Sequence, residues 1–177
     1  MKLREEIEPK IAQAEQIFSQ VLNLIHEYDN ACDNEDDDKC EEVARQLSEL
    51  TGKEITEDDL FEHWEVDSDY QIAFGFSLAE APILSSPLSE EELLEILRRM
   101  KVPEHETYSE IDGNAPYANE DLWYSLNAYY FSLLKKNLKL HKKFNLANLF
   151  HSHLIDGKYI EYTPNEVLEK ILNVMKK

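Results

Sequence analysis

Apolar residues recur at three- and four-residue steps through much of the N-terminal half. Ile11, Ala14, Phe18, Val21, Leu22, Ile25 and Tyr28 share one face and predict a first helix from about Pro9 to Tyr28. Pro9 suits a first helical turn, where its missing N–H costs nothing. Leu3 and Ile7 continue the pattern backwards and allow an extra turn kinked at Pro9. Residues 29–38 lose the periodicity and predict a solvated acidic loop. Cys40, Val43, Ala44, Leu47 and Leu50 restore it as a second helix near Asp38–Leu50, closed by Gly52, where a left-handed backbone is cheap. Thr56, with Asp59 three positions on, caps a short helix whose apolar side is Leu60, Phe61 and Trp64.

The period then changes. Tyr70, Ile72, Phe74, Phe76 and Leu78 alternate with smaller or polar residues, which predicts a strand, although Ala73 and Ala79 also permit a helix. Pro82 and Pro87 mark a turn or linker. Ser89 with Glu92 forms a capping box ahead of Leu93, Leu94, Ile96, Leu97 and Met100, and Pro103 ends that helix. Residues 104–118 are polar and predict a long loop. A long helix follows over about Asn119–Lys142. Its acidic start and its basic end, Lys135, Lys136, Lys139, Lys142 and Lys143, both suit the helix dipole. Phe144–Ile155 is apolar and open to either reading, Asp156-Gly157 is a turn, and Lys158–Tyr162 predicts a short strand. Thr163-Pro164-Asn165-Glu166 caps a last helix carrying Val167, Leu168, Ile171, Leu172 and Met175. The expected fold is a mainly α, compact single domain over residues 1–177, with at most a short β element around Tyr70–Leu78 and Lys158–Tyr162.

Composition supports a folded chain. Hydrophobic residues make up 42% of the 177, enough for a core, and only 4 glycines argue against a turn-rich β-sandwich. No apolar stretch approaches the ~20 residues that span a bilayer. The opening MKLREEIEPK carries charge where a signal peptide needs an apolar centre, so a soluble, cytoplasmic protein is expected.

Charge changes the picture most. Between Asp29 and Asp69 lie 17 acidic residues against Lys39, Arg45 and Lys53, so this stretch holds −14 of the whole-chain −19. Such a field repels nucleic acid and anionic membrane, and it attracts and steers a basic protein. The candidate contact residues are Asp36, Asp37, Asp38, Asp58, Asp59, Glu62, Asp67 and Asp69. Trp64 and Tyr70 are the aromatic anchors set among them.

Reaction chemistry finds little footing. The chain has no Gly-x-Ser-x-Gly elbow and no glycine-rich phosphate loop. Starting from Asp33, an EF-hand requires Gly and Glu where Asp38 and Ala44 stand. His151 and His153, with Asp156, could share a cation on a strand, and Asp59 with His63 are helical neighbours; both sets read as ordinary surface groups. Cys32 and Cys40 form no disulfide framework. Cys40 falls on an apolar stripe as a buried reduced thiol, and the two bridge only if the intervening chain folds back. The expectation is a protein without catalytic, metal or cofactor site.

In size, charge and the aromatic–acidic tract from Asp29 to Tyr70, the chain resembles the immunity proteins of bacterial contact-dependent growth inhibition and polymorphic toxin systems. That resemblance assigns no residue by position. It implies a compact, acidic, cytoplasmic inhibitor of a basic toxin domain, most often a nuclease, which it neutralises by covering the active or substrate-binding surface. Two other classes compete. One is a nucleic-acid mimic that occupies a DNA-binding protein, which needs carboxylates spaced along an elongated surface. The other is a metal-dependent hydrolase built on His151, His153 and Asp156.

Overall fold

A computed structural model describes residues 3–60, 68–101, 119–141, 143–155 and 157–175. They form helices α1 (Ile11–Asp33), α2 (Asp37–Thr51), α3 (Glu57–Leu60), α4 (Asp69–Ser77), α5 (Glu90–Lys101) and α6 (Asn119–Asn137). A 3-10 turn (Leu146–Phe150), strands β1 (His153–Ile155) and β2 (Lys158–Ile160), and helix α7 (Pro164–Met175) follow. The fold is mainly α, and the one sheet among the described residues is the antiparallel β1–β2 hairpin, with Leu154 opposite Tyr159. The chain divides into two compact units. The first takes the described residues of Met1–Glu8, Ala81–His105 and Asn127–Lys177, and the second those of Pro9–Glu80 and Glu106–Leu126.

The second unit is built on α1. Its apolar stripe buries Ala14, Phe18, Val21, Ile25, Tyr28 and Ala31, against which α2 and α4 pack. From α2 come Cys40, Val43, Ala44 and Leu47, and from α4 Ala73 and Phe74. The helix runs further than its obvious periodicity suggests. Residues 29–33, expected in a loop, remain helical because Ala31 continues the buried stripe one step beyond Tyr28.

The acidic loop expected near 29–38 therefore shrinks to residues 34–36. The N–H of Asp36 donates to Ala31 O (3.0 Å) and that of Glu35 to Cys32 O (3.0 Å), satisfying the last carbonyls of α1. Glu35 closes this turn at φ 55, a conformation costing a non-glycine residue about 1 kcal/mol. Asp36 then caps α2 at once, its Oδ1 accepting from the Lys39 N–H at 3.1 Å. At the far end of α2 the expected Gly52 stands at φ 70.

The strand expected over Tyr70–Leu78 is helix α4. Ser68 supplies its cap, Oγ accepting from the Gln71 N–H at 3.2 Å. Ala73, Phe74 and Ser77 are buried at helical spacing. The alternation that suggested a strand would have put Tyr70, Ile72 and Phe76 inside with Phe74, but Tyr70 is 42% exposed and the other two only half-buried. A strand would also have needed a neighbour to satisfy its backbone groups, whereas a helix satisfies its own. Lys53 reaches over from beyond α2 to donate to Gly75 O (2.8 Å) near the C-terminal end of α4, where a cation favours the dipole.

The first unit buries Leu3, Ile7, Leu93, Ile96, Leu97, Met100, Tyr129, Tyr130, Leu133, Leu134, Val167 and Ile171, with α5 packed on α7. Both capping boxes form as the sequence predicts. Ser89 N–H donates to Glu92 Oε2 (2.9 Å) while Glu92 N–H donates to Ser89 Oγ (3.1 Å). Thr163 and Glu166 repeat the arrangement, and the Thr163 N–H and hydroxyl hold the Glu166 carboxyl below its ordinary range. The final helix keeps Val167 and Ile171 buried but leaves Met175 exposed. Helix α6 ends at Asn137 rather than Lys142. The Asn137 side chain donates to Leu133 O and Pro82 O and accepts from the Leu84 N–H, which fixes the chain there. The loop expected over 104–118 lies outside the described residues.

Arg99, only 5% exposed, sits inside this unit. Its guanidinium donates to Glu8 twice (2.7 and 3.2 Å), to the Tyr130 hydroxyl (2.7 Å) and to Glu95 (3.2 Å). Burial alone would lower its affinity for the proton, but Glu8 and Tyr130 more than offset that and raise it. Removing one member of such a network strands a buried charge. Arg99→Met is expected to cost about 3–5 kcal/mol in urea unfolding, and Glu95→Leu in the same chain is expected to recover part of the loss.

Burial lowers the Lys53 ammonium to about 8, only partly countered by Glu80. Its folded-state value lies below the ordinary 10.5, so between pH 8 and 10.5 the unfolded chain binds more protons and stability rises with pH. Below about pH 8 the cost of the buried charge is fully present. Melting curves at pH 7 and 9 are expected to show wild type gaining on Lys53→Met as the pH rises.

Candidate functional site

Among the described residues, the acidic tract does not fold into one patch. Asp36 caps α2, and Asp37 and Asp38 occupy its first turn. Asp58 and Asp59 lie on α3, and Asp69 and Tyr70 in the first turn of α4. Glu62, Trp64 and Asp67 lie outside the described residues, as does His63.

Helix α1 separates these groups. On one side the Tyr28 hydroxyl reaches towards Glu57 O (3.5 Å), which sets α3 beside the C-terminal half of α1. On another, His26 Nε2 lies 3.2 Å from Asp69 Oδ2, and Tyr70 stacks on Phe18 with ring centres 6.5 Å apart. His26 and Tyr28 are two residues apart, about 200° around the helix, so Asp69 and Tyr70 flank α1 away from Glu57. The structure brings Asp38 together with the start of α3 and keeps Asp69 and Tyr70 apart from them.

Between α2 and α3 lies a shallow depression of about 550 Å³ lined by Asp38, Glu41, Glu42, Arg45, Thr56 and Glu57 over an apolar floor of Ala44 and Ile55. Some of its carboxylates are already engaged. Glu42 accepts from Lys39 (3.3 Å) and Gln46 (2.7 Å), and Arg45 turns to Glu49 (2.7 Å). Asp38, Glu41 and Glu57 make no ion pair among the described residues and are exposed. The groove therefore offers three uncompensated carboxylates around a small greasy floor. A lysine or arginine side chain fits that chemistry, with its stem on Ile55 and Ala44 and its head among the oxygens.

Other tract members do structural work. Asp36 caps α2, and Asp59 Oδ2 accepts from both the Thr56 N–H (2.9 Å) and hydroxyl (2.7 Å). Sequence reasoning did not single out Glu41, Glu42 and Glu57 as contacts. Their signal was present in Asp38, Glu41, Glu42 and Arg45 at helical spacing, opposite the stripe of Cys40, Val43, Ala44 and Leu47.

Charge is divided along the chain in the same sense. The segments of the second unit hold 25 acidic and 4 basic side chains, a net −21, and those of the first hold 12 and 14, a net +2, which together give the whole-chain −19. His151 is exposed, and His153 is half-buried with its ring 4.4 Å from that of Tyr162. Asp156 lies outside the described residues, and no cluster of three metal-ligating side chains occurs among the described ones. No helix among them is long and apolar enough to cross a membrane. No known protein family matches the sequence, and no curated protein or solved structure does either.

Structural and free carboxylates should separate on mutation. Asp36→Ala loses a cap and is expected to lower stability by about 1 kcal/mol in thermal or urea unfolding, while Glu41→Gln is expected to stay within about 0.5 kcal/mol of wild type.

Proposed function

We propose that this protein is an acidic inhibitor that binds and neutralises a basic protein, a toxin nuclease domain, by covering the surface that the target uses for substrate. The observation that carries this reading is the groove between α2 and α3. Its uncompensated carboxylates Asp38, Glu41 and Glu57 surround an apolar floor, within a set of segments carrying −21. Lysine and arginine side chains that grip phosphate in a nuclease would find carboxylate oxygens here instead. The surrounding field would raise the association rate, which matters when a toxin must be captured before it acts. Asp69 and Tyr70, on a different flank of α1, belong to a second contact if the partner is large enough to reach both, and Trp64 is the proposed apolar anchor. A nucleic-acid mimic fits less well, because a groove gathers charge locally where a phosphate backbone spaces it evenly.

The test is capture of a basic protein from the native lysate, followed by kinetics on the purified pair. The triple variant Asp38→Lys, Glu41→Lys, Glu57→Lys is expected to slow association at least tenfold at low salt, with an unchanged circular dichroism spectrum. The target's activity should be lost on adding wild type and retained on adding the variant. Binding that is indifferent to salt and to these reversals would remove the groove as the contact.

A further inference from the structure

The short turn between α1 and α2 brings two thiols together. Cys32 lies in the last turn of α1 and is exposed, Cys40 lies in the first turns of α2 and is buried, and their Sγ atoms are 3.4 Å apart. Both are free. A disulfide bond is about 2.05 Å, so side-chain rotation has only about 1.4 Å to close. We propose that Cys32 and Cys40 are an oxidation site, converted by a small-molecule disulfide into an intramolecular bridge that locks the α1–α2 turn.

The exchange is asymmetric because the two thiols are. The exposed Cys32, as thiolate, attacks one sulfur of the oxidant, forms a mixed disulfide and releases the other half as a thiolate. Cys40 then loses its proton to solvent and attacks Cys32 Sγ, expelling the second half. Two protein thiols and one disulfide become one protein disulfide and two small thiols, a balanced two-electron transfer. The groups facing Cys40 come from three helices: Tyr28 and Cys32 on α1, Asp37 on α2, and Glu57 on α3. Burial, the hydrogen bond with Cys32 and the negative charge of Glu57 and Asp37 push the Cys40 thiol up to about 12. The second step therefore quickens with pH. A high-pKa thiol is also a poor leaving group, so the finished bridge resists reduction. The surrounding carboxylates favour a cationic oxidant over an anionic one.

This site does not depend on the inhibitor reading, since it is read from the isolated chain. Full-length protein is incubated with cystamine, a cationic disulfide, or with oxidised glutathione, then alkylated and weighed. Wild type is expected to lose about 2 Da and both alkylatable thiols, and to give a non-reduced peptide joining residues 32 and 40. Cystamine should act faster than glutathione at low salt, and ring closure should speed up between pH 7 and 9. Cys40→Ser should instead stop at a persistent mixed disulfide on Cys32. The bridged form should melt at a higher temperature than the reduced form. A persistent Cys32 adduct in wild type, disulfide-linked dimers, or two thiols still open to alkylation after unfolding would each overturn the proposal.

Discussion

Segments that carry a net −21 must be held together by an interaction that charge does not weaken, and the apolar stripe of α1 supplies it. Phe18, Val21, Ile25, Tyr28 and Ala31 are each at most 5% exposed, and α2 and α4 are fixed by packing on this helix. Hydrophobic burial is indifferent to the sign of the surface, whereas every added carboxylate raises the self-repulsion of the folded unit. The length of α1 follows from this. It extends through residues 29–33 because Ala31 still has a core to enter, while Asp29 stays half-buried and Asp33 is exposed.

Many of the other carboxylates are placed where the backbone can use them. Glu57, Asp58 and Asp59 lie in α3, Asp37 and Asp38 open α2, Asp69 opens α4, and Glu90, Glu91 and Glu92 open α5. Helix starts present unpaired N–H groups and a positive partial charge, so each such residue recovers some of the energy that crowding costs. Asp36, Asp59, Glu92 and Glu166 go further and accept from the backbone directly. Asp38, Glu41 and Glu57, two of them in first helical turns, neither accept a capping hydrogen bond nor meet a cation among the described residues.

Local chemistry was legible in the sequence where it acts within a few residues. Ser89-Glu92, Thr163-Glu166 and Gly52 each form the cap their spacing predicts, and the mainly helical class follows from the same periodicities. Competition between local patterns was not legible. The alternation of Tyr70 to Leu78 satisfies a strand on paper, yet Ser68 starts a helix and α1 offers a flank that buries Ala73 and Phe74 together. Residues 29–38 looked like a loop because charge masked the one small apolar residue, Ala31, that keeps the helix going. The scattering of the tract around α1 could not be read at all, since which side of α1 receives α3 or α4 depends on packing between distant segments. The same holds for Cys32 and Cys40, whose approach needs a turn of three residues where a loop of ten was expected.

That turn concentrates several demands on a few residues. Glu35 accepts a left-handed conformation that glycine would adopt without cost, Asp36 ends one helix and starts the next, and two thiols meet beneath it. A glycine at 35 would relax the backbone but remove an exposed carboxylate from the turn. Solubility gives no reason for that choice, since the same −19 spread evenly over the chain would serve as well with less repulsion. Gathering the charge into one set of segments, and keeping a carboxylate even at a strained position, raises the local potential at the α1–α2 end. A local potential is felt by a cationic surface approaching from solution, and it orients that surface before contact. On the proposed function, the left-handed Glu35 and the neighbouring Asp36–Asp38 serve that steering together, as exposed carboxylates at the α1–α2 turn.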